Sequence, residues 1–379
     1  MSVTPGLGWP IAARGEGAAT QAVTATTSIE AVSRLGWPSD ARSLETANVS
    51  RETFPQVESN RRAGHVSSDV SRETRDDASP SGSPGRVSAP VRPERTRVIT
   101  VANQKGGVGK TTTTVNVAAA LALAGLQVLV IDLDPQGNAS TALGIPNHEG
   151  VRGIYDVLID AIPLDEVVQP SGSVEGVWCA PSTVDVAGCE IELVNLEERE
   201  FRLRGALKAH ITSGTDTNAG EGAGSNAGRG SGSDADNGRR YDFVLIDCPP
   251  SLGLLTINAF SAATEVLIPI QCEYYALEGL TQLVRSVDLI QRHLNPDLRI
   301  SAILMTMVDA RTRLSAQVAA EVREHFGDLV LTTSIPRSVR ISEAPSHGET
   351  VLTYDPSSVG ALSYREVAIE LTRQTLATR

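Results

Sequence analysis

At 379 residues the chain has room for two average domains, or for one large domain with unstructured extensions. Aromatic residues make up only 4% of it, so a core must be built from Val, Ile, Leu and Ala, which suits a parallel sheet covered by helices on both faces. A formal charge of −12 excludes a general coating for nucleic acid but not a local basic patch, and there is neither an apolar run long enough for a membrane span nor the basic-then-apolar opening of a signal peptide.

Residues 1–96 are polar, broken by Gly and Pro, and free of lysine, which predicts a disordered low-complexity tail. Two short repeats lie inside it. Leu7-Gly-Trp-Pro10 returns as Leu35-Gly-Trp-Pro38, and Val49-Ser-Arg-Glu-Thr53 returns as Val70-Ser-Arg-Glu-Thr74. Neither is long enough to be a folding repeat.

From Arg97 the texture changes. The pattern predicts a strand over 97–102, a glycine-rich loop, and a helix from 111 to about 124 that Gly125 ends. A strand over 127–132 follows, then a helix near 154–159, a strand over 176–180 and a charged helix over 189–209. Residues 212–239, dominated by Gly, Ser, Asn and Asp, read as a flexible insertion. Doubling the length of such a loop costs only about 0.6 kcal/mol, so the surface of a fold can carry one. Strands are then expected over 241–247, 265–270, 298–307 and 329–334, with helices over 254–263, 278–293 and 315–326 and from 361 onward. Repeated strand–helix units with near-continuous apolar strands predict a doubly wound α/β fold, mostly parallel and flanked by helices, with ligands at the C-terminal strand ends. The expected division is a tail over 1–96 and one domain over 97–379, interrupted at 212–239.

Of the 33 basic residues only Lys105, Lys110 and Lys208 are lysine, and two of the three stand in one loop. That loop, Lys105-Gly106-Gly107-Val108-Gly109-Lys110-Thr111-Thr112, lies between a predicted strand and a predicted helix, the context a P-loop requires. Glycines let backbone N–H groups turn toward phosphate oxygens, and the helix N-terminus adds partial positive charge. A compact ammonium fits such a cradle where the planar fork of arginine does not. Lys110 is expected on the β- and γ-phosphates of ATP, the Thr111 hydroxyl on Mg²⁺, and Thr112 toward the α-phosphate. Gln104 stands where the standard motif has its first glycine, and the additional Lys105 makes this the deviant form of the Walker A motif.

Three carboxylates complete the candidate set. Asp132 closes the second predicted strand and Asp134 follows two residues later, where it can order a water near the γ-phosphate. Asp247 ends the strand over 241–247 and is expected to hold Mg²⁺ through water. The candidate metal residues are thus Thr111, Asp132 and Asp247, and the candidate catalytic residues Lys105, Asp134 and Asp247. Phosphoryl transfer needs positioning and charge neutralisation more than covalent help, so this equipment suffices.

The segments VANQKGGVGKTTTTVN, VLVIDLDPQGNAS, FVLIDCPPSLGLLTINA, IPIQCEYYALEGL, TMVDARTRL and IPRSVRISEAPSHG resemble the ParA/Soj partition ATPases over about residues 97–377. The resemblance implies a weak, Mg²⁺-dependent ATPase that forms an ATP-dependent homodimer, with Lys105 reaching the partner's phosphates and Asp134 supporting hydrolysis. It implies non-specific DNA binding by the dimer, through Arg311 and Arg340 with Arg313 and Arg337 as neighbours. Pro336 and Arg337 match the adenine-proximal loop. A ParB-like centromere-binding partner that stimulates hydrolysis, and a cytoplasmic, nucleoid-associated location, are implied as well. Val-Ser-Arg-Glu-Thr can be encoded by the palindrome GTTTCACGTGAAAC plus one further base, which resembles the partner's centromere site. The tail repeat therefore has two readings, accidental similarity or embedded sites in the gene.

Three rival functions make different demands. A MinD-like membrane-associated ATPase needs a C-terminal amphipathic helix with a basic face, whereas residues 364–379 are charge-balanced and short of bulky apolar residues. An iron–sulfur relative needs bridging cysteines, but of Cys179, Cys189, Cys248 and Cys272 only Cys248 is near the expected nucleotide, and all four read as reduced, mostly buried thiols. A scaffold that binds nucleotide without turnover would not need Lys105, Asp134 and Asp247 together.

Overall fold

A computed structural model describes residues 90–213, 241–273, 276–309 and 311–374. The tail repeats and the insertion from 214 onward lie outside them. The elements in chain order are β1 (Arg97–Val101), α1 (Lys110–Leu123), β2 (Val128–Asp132), α2 (Asn138–Ala142), α3 (Ile154–Leu158), β3 (Gln169–Pro170), β4 (Val177–Ala180), α4 (Val186–Glu192) and α5 (Arg202–Ser213). After the insertion come β5 (Phe243–Asp247), α6 (Leu254–Ala262), β6 (Glu265–Gln271), α7 (Ala276–His293), β7 (Arg299–Thr306), α8 (Arg313–Phe326), α9 (Val339–Glu343), α10 (Val351–Tyr354) and α11 (Val359–Arg373).

The strands form one sheet in the order β3-β4-β2-β5-β1-β6-β7, parallel throughout except for the short β3 at one edge. Every residue of β1, β2 and β5 is buried, because helices cover both faces. The pleat sends alternate side chains to opposite cores. Val98, Leu129, Ile131, Val244 and Ile246 meet the helices of one layer, and Ile99, Val101, Val128, Val130, Phe243 and Leu245 meet α1 and α11 on the other. Among the described residues no helix is long and apolar enough to cross a membrane.

A buried ion pair anchors the start of the sheet. Arg97 places Nε 2.8 Å from Glu265 Oε1 and Nη2 2.6 Å from Oε2, while Nη1 donates to the Leu371 carbonyl of α11. Its guanidinium carbon also lies 5.2 Å from the centre of the Phe243 ring. One residue thus ties together the openings of β1 and β6 and the last turns of the C-terminal helix.

Two predicted elements differ from what folds. The single helix expected over 189–209 is instead α4, a 3₁₀ turn over Leu193–Asn195, and a separate α5. Glu198 between them sits at φ 51°, outside any helix. The buried Asn258 of α6 fixes the break, since its Nδ2 donates to Arg199 O at 2.7 Å and its Oδ1 accepts from Leu203 N at 3.1 Å. The strand expected over 329–334 is reduced to isolated bridges pairing Ile303 with Val330 and Val308 with Pro336. The N–H groups of Thr332 and Thr333 donate to the Glu370 carboxylate of α11, at 2.8 and 2.9 Å, instead of to β7.

Removing one member of a buried pair leaves an uncompensated charge, at a typical cost of about 3–5 kcal/mol. Glu265→Ala should therefore lower unfolding free energy by about that amount in urea titrations, and Arg97→Met with Glu265→Leu should recover most of it. A loss no larger than that of an ordinary surface substitution would show that the pair does not anchor the sheet.

Candidate nucleotide-binding site

The site forms where β1, β5 and β2 end side by side. The register sets Asp247 opposite Val101 on one side and opposite Asp132 on the other. The glycine-rich loop leaves β1 and enters α1, a helix of 14 residues. Gly107 at φ 74° and Gly109 at φ 87° take the left-handed backbone that side chains avoid, and this turns the loop into the helix N-terminus. Val108 is buried beneath the loop, and its carbonyl accepts from Thr306 Oγ1 of β7 at 2.8 Å. Asn103 holds the other side, donating from Nδ2 to Pro269 O at 2.8 Å and accepting the Lys105 N–H at 3.0 Å.

Lys105 and Lys110 point to different surroundings. Lys110 is buried and its Nζ donates to the Lys105 carbonyl at 3.3 Å. Burial lowers its pKa from the ordinary value, with Asp247, Cys248 and Asp134 acting in the opposite direction. The Lys105 ammonium instead meets Glu273 Oε2 at 2.6 Å on the outer rim, with both side chains nearly half exposed. Gly106 is exposed, and Thr111 and Thr112 are half-buried at the entry to α1.

The acids form a buried group. Asp247 Oδ1 accepts from Thr114 Oγ1 at 2.9 Å, and Oδ2 has no hydrogen-bond partner among the described residues. Burial raises the Asp247 pKa to about 8, reinforced by the charge of Asp132 and opposed by the Thr111 and Thr114 hydroxyls. Asp132 is bound on both oxygens. Oδ2 accepts from Ser140 N at 2.9 Å and Ser140 Oγ at 2.7 Å, and Oδ1 from Asp134 N at 3.2 Å. Burial raises its pKa to about 6, with those hydrogen bonds opposing. Asp134 is only 8% exposed, and its Oδ1 accepts from Gln136 N at 3.0 Å.

A buried carboxylate oxygen without a donor, beside a threonine hydroxyl and a helix N-terminus, is an incomplete arrangement that a cation completes. No cluster of three or more His, Cys, Asp or Glu side chains suited to a metal occurs among the described residues. Cys248 is fully buried next to Asp247, and all four cysteines are free and buried.

Arg311 and Arg340 pair with acids outside the buried group. Arg311 is 87% exposed and forks onto Asp309, with Nε 2.9 Å from Oδ1 and Nη2 2.9 Å from Oδ2. That contact holds the Asp309 pKa down at about 2, with Arg337 contributing. Arg337 is exposed, and its backbone N donates to Val308 O at 3.2 Å, so Pro336 and Arg337 run beside the continuation of β7. Arg313 is exposed at the start of α8. Arg340 of α9 sits 3.3 Å from Glu343 and 3.5 Å from Asp355. Sequence reasoning missed Thr114, Thr306, Asn103, Ser140 and Glu273. All five lie inside the quoted segments, but Thr114, Thr306 and Glu273 meet partners 133, 198 and 168 positions away, so these contacts could not be read from spacing.

A glycine loop at a strand-to-helix turn, with an inward lysine and a buried aspartate at the neighbouring strand end of a doubly wound sheet, defines a P-loop nucleotide-binding protein. A family profile described as an AAA domain matches residues 96–214 and 236–300. The sporulation initiation inhibitor protein Soj of Bacillus subtilis is 47% identical over 275 residues, covering 73% of this chain and 98% of Soj. The chromosome partitioning protein ParA of Myxococcus xanthus is 44% identical over 278 residues, covering 73% of this chain and 88% of that protein. Among solved structures, cobyrinic acid a,c-diamide synthase of Mycobacterium smegmatis with bound ADP and magnesium superimposes with a TM-score of 0.58 at 35% identity, covering 75% of this chain and 97% of that one. The chain belongs to the Soj/ParA family of chromosome-partitioning ATPases.

Because Asp247 binds its proton more tightly folded than unfolded, its contribution to stability is present below its ordinary pKa of 3.8 and is lost as pH rises toward about 8. Asp247→Asn should remove that loss. The nucleotide-free variant should melt above the parent at pH 8, with the gap closing as pH falls toward 4. A melting series showing a constant gap, or none, would mean that burial of this carboxylate is not what sets the slope.

Proposed function

We propose that this chain is a weak, Mg²⁺-dependent ATPase that partitions chromosomes by dimerising around ATP and binding DNA without sequence preference. Its ATPase domain spans 97–379 and carries an insertion over 212–239. The observation that carries this is the division of labour between the two loop lysines, one buried beside Asp247 and one on the rim.

Lys110 and the backbone N–H groups of residues 106–112 grip the phosphates, and Pro336 and Arg337 border the adenine. Thr111 and Asp247 would hold Mg²⁺, which would supply charge neutralisation to the phosphates. Asp132 fixes the Asp134 turn and the Ser140 helix start through the hydrogen bonds already described. That leaves Asp134 to orient the attacking water. Lys105 crosses to the phosphates of a second copy, which makes dimerisation depend on the γ-phosphate as an arginine finger does. Hydrolysis is stimulated by a ParB-like centromere-binding protein. DNA is met by Arg311, Arg340, Arg313 and Arg337, a local basic set on an acidic protein, in the cytoplasm at the nucleoid. The synthase neighbour shares the sheet at 35% identity against 47% for Soj, so the reading follows Soj.

The test is DNA co-sedimentation with ATP, ADP and no nucleotide. Retention is expected with ATP only and should fall with salt, with a log–log slope of about −0.9 per phosphate contacted. Arg340→Glu and Lys110→Ala should both abolish retention; DNA binding retained by both variants would contradict the mechanism. Lys105→Ala should remain monomeric in light scattering with saturating Mg-ATP, and unchanged dimerisation would refute the role given to that lysine.

A further inference from the structure

Glu273 has no part in the chemistry above, yet it makes the closest polar contact to the lysine on which the switch depends. The Lys105 ammonium lies 2.6 Å from Glu273 Oε2. The rest of Lys105 is also held within its own subunit, by Asn103 at its N–H and by the Lys110 ammonium at its carbonyl. Glu273 stands between β6 and α7, with its N–H donating to Gln271 O at 2.8 Å and its carbonyl accepting from Ala276 N at 2.9 Å. The carboxylate is therefore presented just past the end of β6, the strand that neighbours β1, and both side chains of the pair are partly exposed to solvent.

We propose that Glu273 is a positioning residue that latches Lys105 onto its own subunit and so opposes dimerisation until a triphosphate on a second copy takes the ammonium away. The proposal rests on the crossing role of Lys105 given under Proposed function. The contact has the strength such a latch needs. Lys105 is 42% exposed and Glu273 47%, so the pair is solvated and weak enough to exchange for a phosphate. An ammonium has three donors but a single reach, and one engaged at 2.6 Å to a carboxylate of its own chain is not available to another. Each dimer breaks two latches. At the strength of two exposed ion pairs this raises the protein concentration needed for half-dimerisation by about two- to thirty-fold.

The experiment is sedimentation velocity over a protein-concentration series with saturating Mg-ATP, on the full chain and on Glu273→Gln, Glu273→Ser and Glu273→Asp. Both neutral variants should dimerise at concentrations about two- to thirty-fold lower than the parent. Glu273→Asp keeps the anion and should stay closer to the parent, which a merely structural role for the side chain would not produce. Mg-ATP affinity measured on dilute monomer checks that each variant is folded. A midpoint unchanged or raised in both neutral variants overturns the latch. Lys105→Ala, alone and with Glu273→Gln, keeps the two ideas apart. Normal dimerisation of Lys105→Ala would sink the crossing role itself, whereas a monomeric Lys105→Ala with an unshifted Glu273→Gln would sink only the latch.

Discussion

The carboxylate of Asp247 is the constraint around which the rest of the molecule is arranged. A charge at a fully buried strand end is costly unless something compensates it. Here Asp132 on the neighbouring strand increases the cost, because the register sets the two acids side by side. The Thr114 hydroxyl donates to the Asp247 carboxylate, and the buried Lys110 ammonium lies close enough for their charges to interact. Without a ligand the carboxyl keeps its proton up to about pH 8, and a cation bound there would take the proton's place. That is why the acids stand at the ends of parallel strands, where the loop and the helix N-terminus converge on the same space.

Holding the loop open for that ligand falls to residues that perform no chemistry. Thr306 on β7 and Asn103 at the end of β1 pin the two sides of the loop to the sheet, and two left-handed glycines set its curvature. The Lys110 ammonium rests on the loop's own carbonyl. The loop thus keeps its curvature through contacts within the chain. Asp132 acts in the same supporting way, since both of its oxygens are committed to orienting the segment that carries Asp134 and Ser140.

The parts legible in the sequence were those determined locally. Continuous apolar strands, the glycine loop between a strand and a helix, and the acids at strand ends all follow from neighbours in the chain, and β1, β2, β5 and β6 fold within a residue or two of their predicted limits. What escaped was determined by residues far away. The charged stretch after Cys189 has helical composition throughout, but Asn258 claims its backbone and breaks it in two. The run after Leu329 has strand character, and Leu331 N and Ile335 N do reach β7, but the Glu370 carboxylate takes the Thr333 N–H between them and interrupts the ladder. Glu273 lies in the quoted segment IPIQCEYYALEGL, but 168 positions separate it from Lys105, so their pairing could not be read from spacing.

The four thiols have a practical consequence. Cys179, Cys189 and Cys248 are fully enclosed and Cys272 is 7% exposed, and burial pushes all four above the ordinary cysteine pKa. Alkylating reagents attack thiolates, so these positions are poor targets in the folded protein. A single cysteine placed at an outward position such as Leu289, which is 59% exposed on α7, would carry a maleimide fluorophore with the native cysteines left in place. The fold thus comes ready for site-selective dye attachment, and assembly and cargo attachment can be followed optically on an otherwise unaltered chain.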